Sequence, residues 1–210
     1  GVIRELEARG YDIRAISGSS MGAVIGGIHA LGGLDTYEHW VTGLSQSDVF
    51  RMLDWTFSGG GLIRGNALMR KLRALVGECN IEDLPIPFTA VAVDIEKGRE
   101  AWFSDGSLFE AIRGSMAVPS IFTPHRYRGR LLVDGGLLNP VPVAPTLSTL
   151  TDLTVVVDLN GDAVEPPPLQ KAVAADATPG MMQRLRSYMA GLNGNAAPVE
   201  AGLAMSDVLM

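Results

Sequence analysis

One short stretch constrains this chain more than any other. In Ile16-Ser17-Gly18-Ser19-Ser20-Met21-Gly22 a mainly apolar run, Ile13 to Ile16, enters a Gly-x-Ser-x-Gly sequence, and a small-residue helical run leaves it. That is the sequence form of a strand turning sharply into a helix with a serine at the apex. Glycine is the residue that fits comfortably at positions 18 and 22 of such an elbow. The turn strains the serine backbone and projects its hydroxyl outward, which makes Ser20 the candidate nucleophile. It also leaves the Met21 amide in the first turn of the helix, where unpaired N–H groups and the helix dipole favour a developing negative charge.

The helix expected over Met21 to Leu31 is small or apolar nearly all round, so it should be buried, and Gly32-Gly33 should end it. Before the elbow, Val2, Ile3 and Leu6 alternate with Arg4, Glu5, Glu7 and Arg9 at helical spacing up to Gly10. Tyr37, Trp40, Val41 and Leu44 give a further helical period, and Gly59-Gly60-Gly61 reads as a turn beside a lid or a wall. Leu68, Leu72, Leu75 and Val76 predict a surface helix over Asn66 to Val76. Ile86 to Val93 and Glu100 to Phe103 read as strands joined by a hairpin at Asp94 to Arg99, and Ser107 to Arg113 as a short helix. Leu131 to Val133 and Leu153 to Leu159 have the β-branched, apolar composition of buried strands. Alternating strands and helices predict an α/β layered fold.

At 210 residues and 47% hydrophobic, the chain can bury the core of one domain. Its net charge of -6 and sequence pI near 5.0 exclude a basic stripe able to offset nucleic-acid phosphates, so no nucleic-acid partner is expected. The lone Cys79 cannot form an internal disulfide, and it is expected to pack as a small apolar residue and to offer no metal site. No run approaches the length of a membrane span. The chain opens inside one amphipathic pattern and closes in another helix-like run, Ala201 to Met210, so further sequence is expected at both ends. After Gly161 the composition turns Pro- and Ala-rich, which reads as a mobile excursion with a helical piece near Met181 to Leu192.

A nucleophilic serine needs a base. Of the three histidines, His29 lies too far along the helix that starts at Ser20, and His39 falls in another helical stretch. His125, in Thr123-Pro124-His125-Arg126, is the credible imidazole. The best acid is Asp134, where the apolar Leu132-Val133 ends in a carboxylate followed by Gly135-Gly136. Two readings of Asp134 stand: a turn aspartate satisfying its own backbone, or a desolvated base beside Ser20. No histidine follows Asp134, so the serine, acid, histidine order of an α/β-hydrolase triad fails here. Arg64 and Arg113 could meet a phosphate but read as solvated or structural.

Gly18-Ser19-Ser20-Met21-Gly22, Ala111-Ile112-Arg113-Gly114-Ser115, Pro119-Ser120-Ile121-Phe122 and Asp134-Gly135-Gly136 occur in this order, together with Leu84-Pro85-Ile86-Pro87-Phe88 and Asn139-Pro140-Val141-Pro142. Over roughly residues 1 to 160 this set resembles the bacterial patatin-like phospholipases. The resemblance implies a three-layer α/β/α fold with a central, mostly parallel sheet, a catalytic domain over 1–160, and 161–210 as an excursion of it. It also implies a Ser20-Asp134 dyad, no cofactor, and fatty-acyl ester lipids as substrate. In such a family a glycine-rich loop upstream of the first helix supplies the main oxyanion amides, and the resemblance implies a last strand expected beyond Met210. Since one lost donor costs on the order of 10²- to 10³-fold in rate, low activity is the expectation for the sequence as it stands.

Two other readings remain beside the hydrolase. One pairs Ser20 with His125, as in malonyl-type transacylases that also use Gly-x-Ser-x-Gly. The other is a regulatory or binding module that keeps the fold without the chemistry. The expected location is the cytoplasm, with transient contact at the inner face of the membrane where the substrate resides. Met181, Met182, Leu185, Tyr188, Met189 and Leu192 form an apolar stripe that would either dip into that interface or pack on the domain. Oligomeric state is left open.

Overall fold

Phe88–Asp94, with the sequence Phe-Thr-Ala-Val-Ala-Val-Asp, is almost wholly buried and is the strand around which the other elements assemble. The computed structural model describes residues 1–56 and 61–161. Residues 1–154 pack as one unit, and 155–161, the described start of a second, contain no helix or strand. The elements in chain order are α1 (Val2–Ala8), β1 (Ile16–Ser19), α2 (Met21–Ala30), α3 (Leu34–Thr42), α4 (Gln46–Met52), β2 (Gly61–Ile63), α5 (Asn66–Val76), β3 (Phe88–Asp94), β4 (Arg99–Phe103), α6 (Leu108–Ser115), β5 (Ser120–Phe122), β6 (His125–Tyr127) and β7 (Arg130–Asp134).

Local chemistry accounts for several boundaries. Ser107 caps α6 by accepting from the Glu110 N–H, and Ser45 and Asp48 form a reciprocal capping box on α4. Asp54 accepts from the Gly65, Asn66 and Ala67 amides, neutralising the orphan donors at the start of α5. The β3–β4 hairpin turns on Asp94, whose Oδ1 accepts from the Glu96 and Lys97 amides. Between β6 and β7 the two turn residues, Arg128 and Gly129, both have positive φ, as a tight hairpin with the native twist requires.

The sheet pairing brings two strand ends together. β4 runs along one edge of β3, pairing with residues 90–94. Along the other edge β1 pairs parallel with residues 88–91 and β7 pairs antiparallel with residues 92–94. β1 and β7 therefore lie end to end on the same edge of β3, their C-terminal ends converging at adjacent positions: Ser19 opposite Val91, Asp134 opposite Ala92. β6 flanks β7, and β2 pairs with β5 in a separate two-stranded sheet.

Helices α2 and α6 cover one face of this sheet. Small residues let them approach closely. A Cβ on Gly26 would fall 2.7 Å from Ile16 Cγ2, and one on Gly27 would fall 3.0 Å from both Ile112 and Leu108. Ile28, Phe88, Leu108, Phe109, Ile112 and Leu132 are buried in the resulting core, each worth about 1.5–3 kcal/mol.

The structure bears out the α/β fold and amends some details. The sheet is mixed, where the resemblance implied a mostly parallel one: β1–β3 and β2–β5 are parallel, while β3–β4, β3–β7 and β6–β7 are antiparallel. Short hairpin turns join β3 to β4 and β6 to β7 and leave no room there for the crossover a parallel pair needs. Among the described residues the packed helices α2 and α6 occupy one face; the side of β1 that carries Ser17 and Ser19 meets the segment after β7, with its 3₁₀ turns at Gly135–Leu137 and Ala144–Thr146. Strand β1 begins at Ile16, three residues later than its apolar run, because β3 begins after Pro87, which has no N–H to extend the ladder. Leu153 to Leu159 is not a strand, since no strand among the described residues pairs with it. The Met181 to Leu192 helix and most of the Gly59-Gly60-Gly61 turn lie outside the described residues.

Candidate active site

Ser20 sits between β1 and α2 with φ 54° and ψ -120°, a backbone conformation that L side chains rarely adopt. Holding it costs of order 1–3 kcal/mol, which the surrounding core offsets. The flanking glycine is a steric requirement: a Cβ on Gly18 would overlap the Gly22 backbone and lie 2.6 Å from the Ala23 nitrogen. Gly22, by contrast, has open space where its Cβ would be, so the elbow demands glycine at one of the two positions the motif marks. The Ser20 carbonyl accepts the Ala23 and Val24 amides as the first helical bonds. No hydrogen bond among the described residues uses the Met21 N–H, which stands as a free donor at the start of α2.

Asp134 is 5% exposed at the end of β7. The turn bond that the sequence suggests for this residue forms, and its carboxyl is desolvated. Its Oδ1 accepts from the Gly136 amide at 2.7 Å, the local turn bond, while Oδ2 is buried with no hydrogen-bond partner among the described residues. Burial pushes the carboxyl above its ordinary pKa, against the Ser20 hydroxyl and the Gly136 amide, which favour the charged form. No hydrogen bond joins the Ser20 hydroxyl to Asp134 Oδ2. Serine and base are commonly this loose before substrate binds.

Gly135 threads the point where the two strand ends meet. A Cβ there would collide with the Val91 carbonyl and lie 2.8 Å from Ser19 Oγ. Beyond it, Ser19 Oγ donates to the Asn139 carbonyl at 2.7 Å and Ser17 Oγ to the Pro142 carbonyl. The alternate serines of β1 thus tie the segment after Asp134 to the strand that carries the elbow.

The histidines lie elsewhere. His125 begins β6, and its Nε2 is 2.8 Å from Glu110 Oε2, while Glu110 Oε1 holds Arg73 Nη2 at 2.5 Å. Burial and the nearby Arg113 charge lower the His125 pKa against the pull of Glu110. Glu110 itself, raised by burial, is carried below its ordinary value by Arg73 and His125. His29 is buried at the opposite end of α2, lining a cleft of about 270 Å³ with Arg4 and Glu7. Arg113 is 2% exposed and gives its guanidinium to the Arg64 carbonyl, the Thr123 carbonyl and Thr123 Oγ1. Burial lowers its pKa to about 10. It is a structural cross-link with no open face for a phosphate. Cys79 is half-buried and free. Among the described residues no cluster of His, Cys, Asp and Glu could hold a metal ion, and no helix is long and apolar enough to cross a membrane.

The fold and this junction define an α/β protein with a serine at a strand-to-helix elbow and a buried aspartate at the facing strand end. The chain belongs to the patatin-like phospholipase family, whose model matches residues 1–147. An uncharacterized NTE family protein of Mycobacterium tuberculosis is 43% identical over 207 residues, which is 99% of this chain and 56% of the relative. This chain therefore spans about half the length of that relative. The lysophospholipase nte1 of Emericella nidulans is 27% identical over 167 residues, 76% of this chain and 11% of that protein. A lysophospholipase NTE1 of Mycosarcoma maydis is 30% identical over 169 residues, 76% of this chain and 9% of that protein.

Proposed function

We propose that this chain is the catalytic part of a lipid acyl hydrolase that cleaves fatty-acyl esters through Ser20 and Asp134. The observation that carries the reading is the convergence of β1 and β7 on adjacent residues of β3, with a strained serine on one strand end and a buried, incompletely partnered carboxylate on the other. The names of the fungal relatives support lysophospholipids as substrates.

In this mechanism Ser20 Oγ attacks the acyl carbonyl carbon while Asp134 takes the hydroxyl proton. The oxyanion meets the Met21 N–H at the start of α2. Collapse breaks the ester C–O bond, Asp134 returns its proton to the departing alcohol, and the acyl group remains on Ser20. Water then attacks the acyl-enzyme with Asp134 as base, releasing the fatty acid and restoring the serine. The raised Asp134 pKa suits this role, because a stronger base receives the serine proton more readily. Contact with a lipid surface would be transient and would serve substrate entry.

The test is labelling by a fluorophosphonate probe with peptide mapping, on this chain and on one extended upstream, each with Ser20→Ala and Asp134→Asn. Labelling at Ser20 that requires Asp134 is expected. A folded, extended protein that never labels would refute the reading.

A further inference from the structure

The meeting of β1 and β7 leaves a break in the hydrogen-bond ladder on that edge of β3, and one hydroxyl fills it. Ser115, the last residue of α6, is fully buried. Its Oγ donates to the Val91 carbonyl at 2.6 Å and accepts from the Ser20 amide at 2.9 Å. Two residues further on, the Ala117 carbonyl accepts from the Asp134 amide at 3.0 Å. The turn that ends α6 therefore holds the backbone of the serine through one bond and the backbone of the aspartate through another.

We infer that Ser115 is a positioning residue, which fixes the strained Ser20 backbone and sets the elbow against Asp134. This rests on the Ser20-Asp134 reading of function. The physical need is plain: a positive φ at a non-glycine residue relaxes unless its surroundings over-determine it. Within the elbow, Gly18 makes room for the turn but exerts no pull on it. The Ser115 hydroxyl supplies that pull, and by engaging the Ser20 N–H inside the protein it leaves the neighbouring Met21 N–H as the donor directed to substrate. A serine suits the place because its hydroxyl both donates and accepts. Alanine would leave the part-buried Ser20 N–H and the buried Val91 carbonyl unpaired at once. The helix lies close on β7 here: a Cβ on the preceding Gly114 would lie 2.6 Å from Leu132 Cδ1, so α6 cannot shift toward the sheet to compensate.

The experiment follows two readouts in wild type, Ser115→Ala, Ser115→Thr and a mild core control, Ile81→Val. The first is hydrogen exchange at the Ser20 amide by NMR, and the second is the rate of fluorophosphonate labelling at Ser20 in the chain extended upstream. In Ser115→Ala the Ser20 amide should exchange at least about tenfold faster, with Ile28 unchanged, and labelling should slow about 10- to 100-fold, as a displacement near 1 Å can produce. Ser115→Thr, which keeps the hydroxyl, should recover much of both, and Ile81→Val should alter neither. Unchanged Ser20 exchange in Ser115→Ala would overturn the inference, as would faster exchange with wild-type labelling. A wild-type protein that never labels overturns the dyad reading itself, and the positioning role with it, whatever the exchange data show.

Discussion

Asp134 and Glu110 are both carboxylates held against the same sheet and helix α6, and the protein treats them in opposite ways. Glu110 is charge-paired: Arg73 and His125 bond its two oxygens, and these partners outweigh burial, so it ionises more readily than a free glutamate. Asp134 has one oxygen bonded to a backbone amide and the other buried without a partner among the described residues, so burial wins and its pKa rises. The fully paired group is a structural tie. The incompletely paired one keeps capacity for a proton, and the most strained serine of the elbow lies beside it.

The largest expected effects break the reactive side of this contrast. Asp134→Asn should lower ester hydrolysis about 10²- to 10⁴-fold, the range for a lost general base, while Ser20→Ala should abolish probe labelling. The same Asp134→Asn should raise thermal stability at neutral pH. A raised folded-state pKa contributes stability that is present below the ordinary aspartate value near 3.9 and is lost as pH rises through the folded value. The Tm advantage of the asparagine should therefore appear at neutral pH and vanish in acid, as measured by calorimetry across pH.

Gly135→Ala comes next. The added methyl meets the Val91 carbonyl and Ser19 Oγ, so the Asp134 turn must move. Activity is expected to fall about 10- to 100-fold, in line with displacement of a catalytic group, in a protein that still folds by circular dichroism. Glu110→Gln should leave kcat/KM within about threefold and cost about 0.5–1 kcal/mol, since the cluster is part-exposed. Its sign with pH is the reverse of Asp134: a lowered pKa gives stability that is present above the ordinary glutamate value and lost as pH falls. His125→Gln should have the smallest effect, with activity within about twofold in steady-state assays. A crippling loss there would revive the Ser-His transacylase reading.

How far the sequence alone carried these conclusions depended on whether a feature was local. Helix α5 follows its leucine period over Asn66 to Val76, the β3–β4 hairpin lies at its polar turn, and the helix after Gly-x-Ser-x-Gly forms as the small-residue run requires. The elbow's serine and the aspartate before paired glycines were visible because each imposes a local steric pattern. What brings them together was not visible: the end-to-end arrangement of β1 and β7 depends on register along β3, which composition does not encode. For the same reason Ser115 passed unnoticed as a site residue, since a serine ending a small-residue helix carries no mark of the two backbones it joins. Ser17 and Ser19 are similar, their partners lying more than a hundred residues away. Leu153 to Leu159 fails in the other direction, with strand composition but no partner among the described strands.

Whether Asp134 is the base that serves Ser20 is tested most directly by the pH dependence of Ser20 labelling in wild type and Asp134→Asn. Wild-type labelling should rise with pH through a midpoint above the ordinary aspartate value, and the asparagine variant should be slow and lack that step. Equal labelling rates with the same pH profile in both proteins would contradict the account and remove Asp134 from the chemistry.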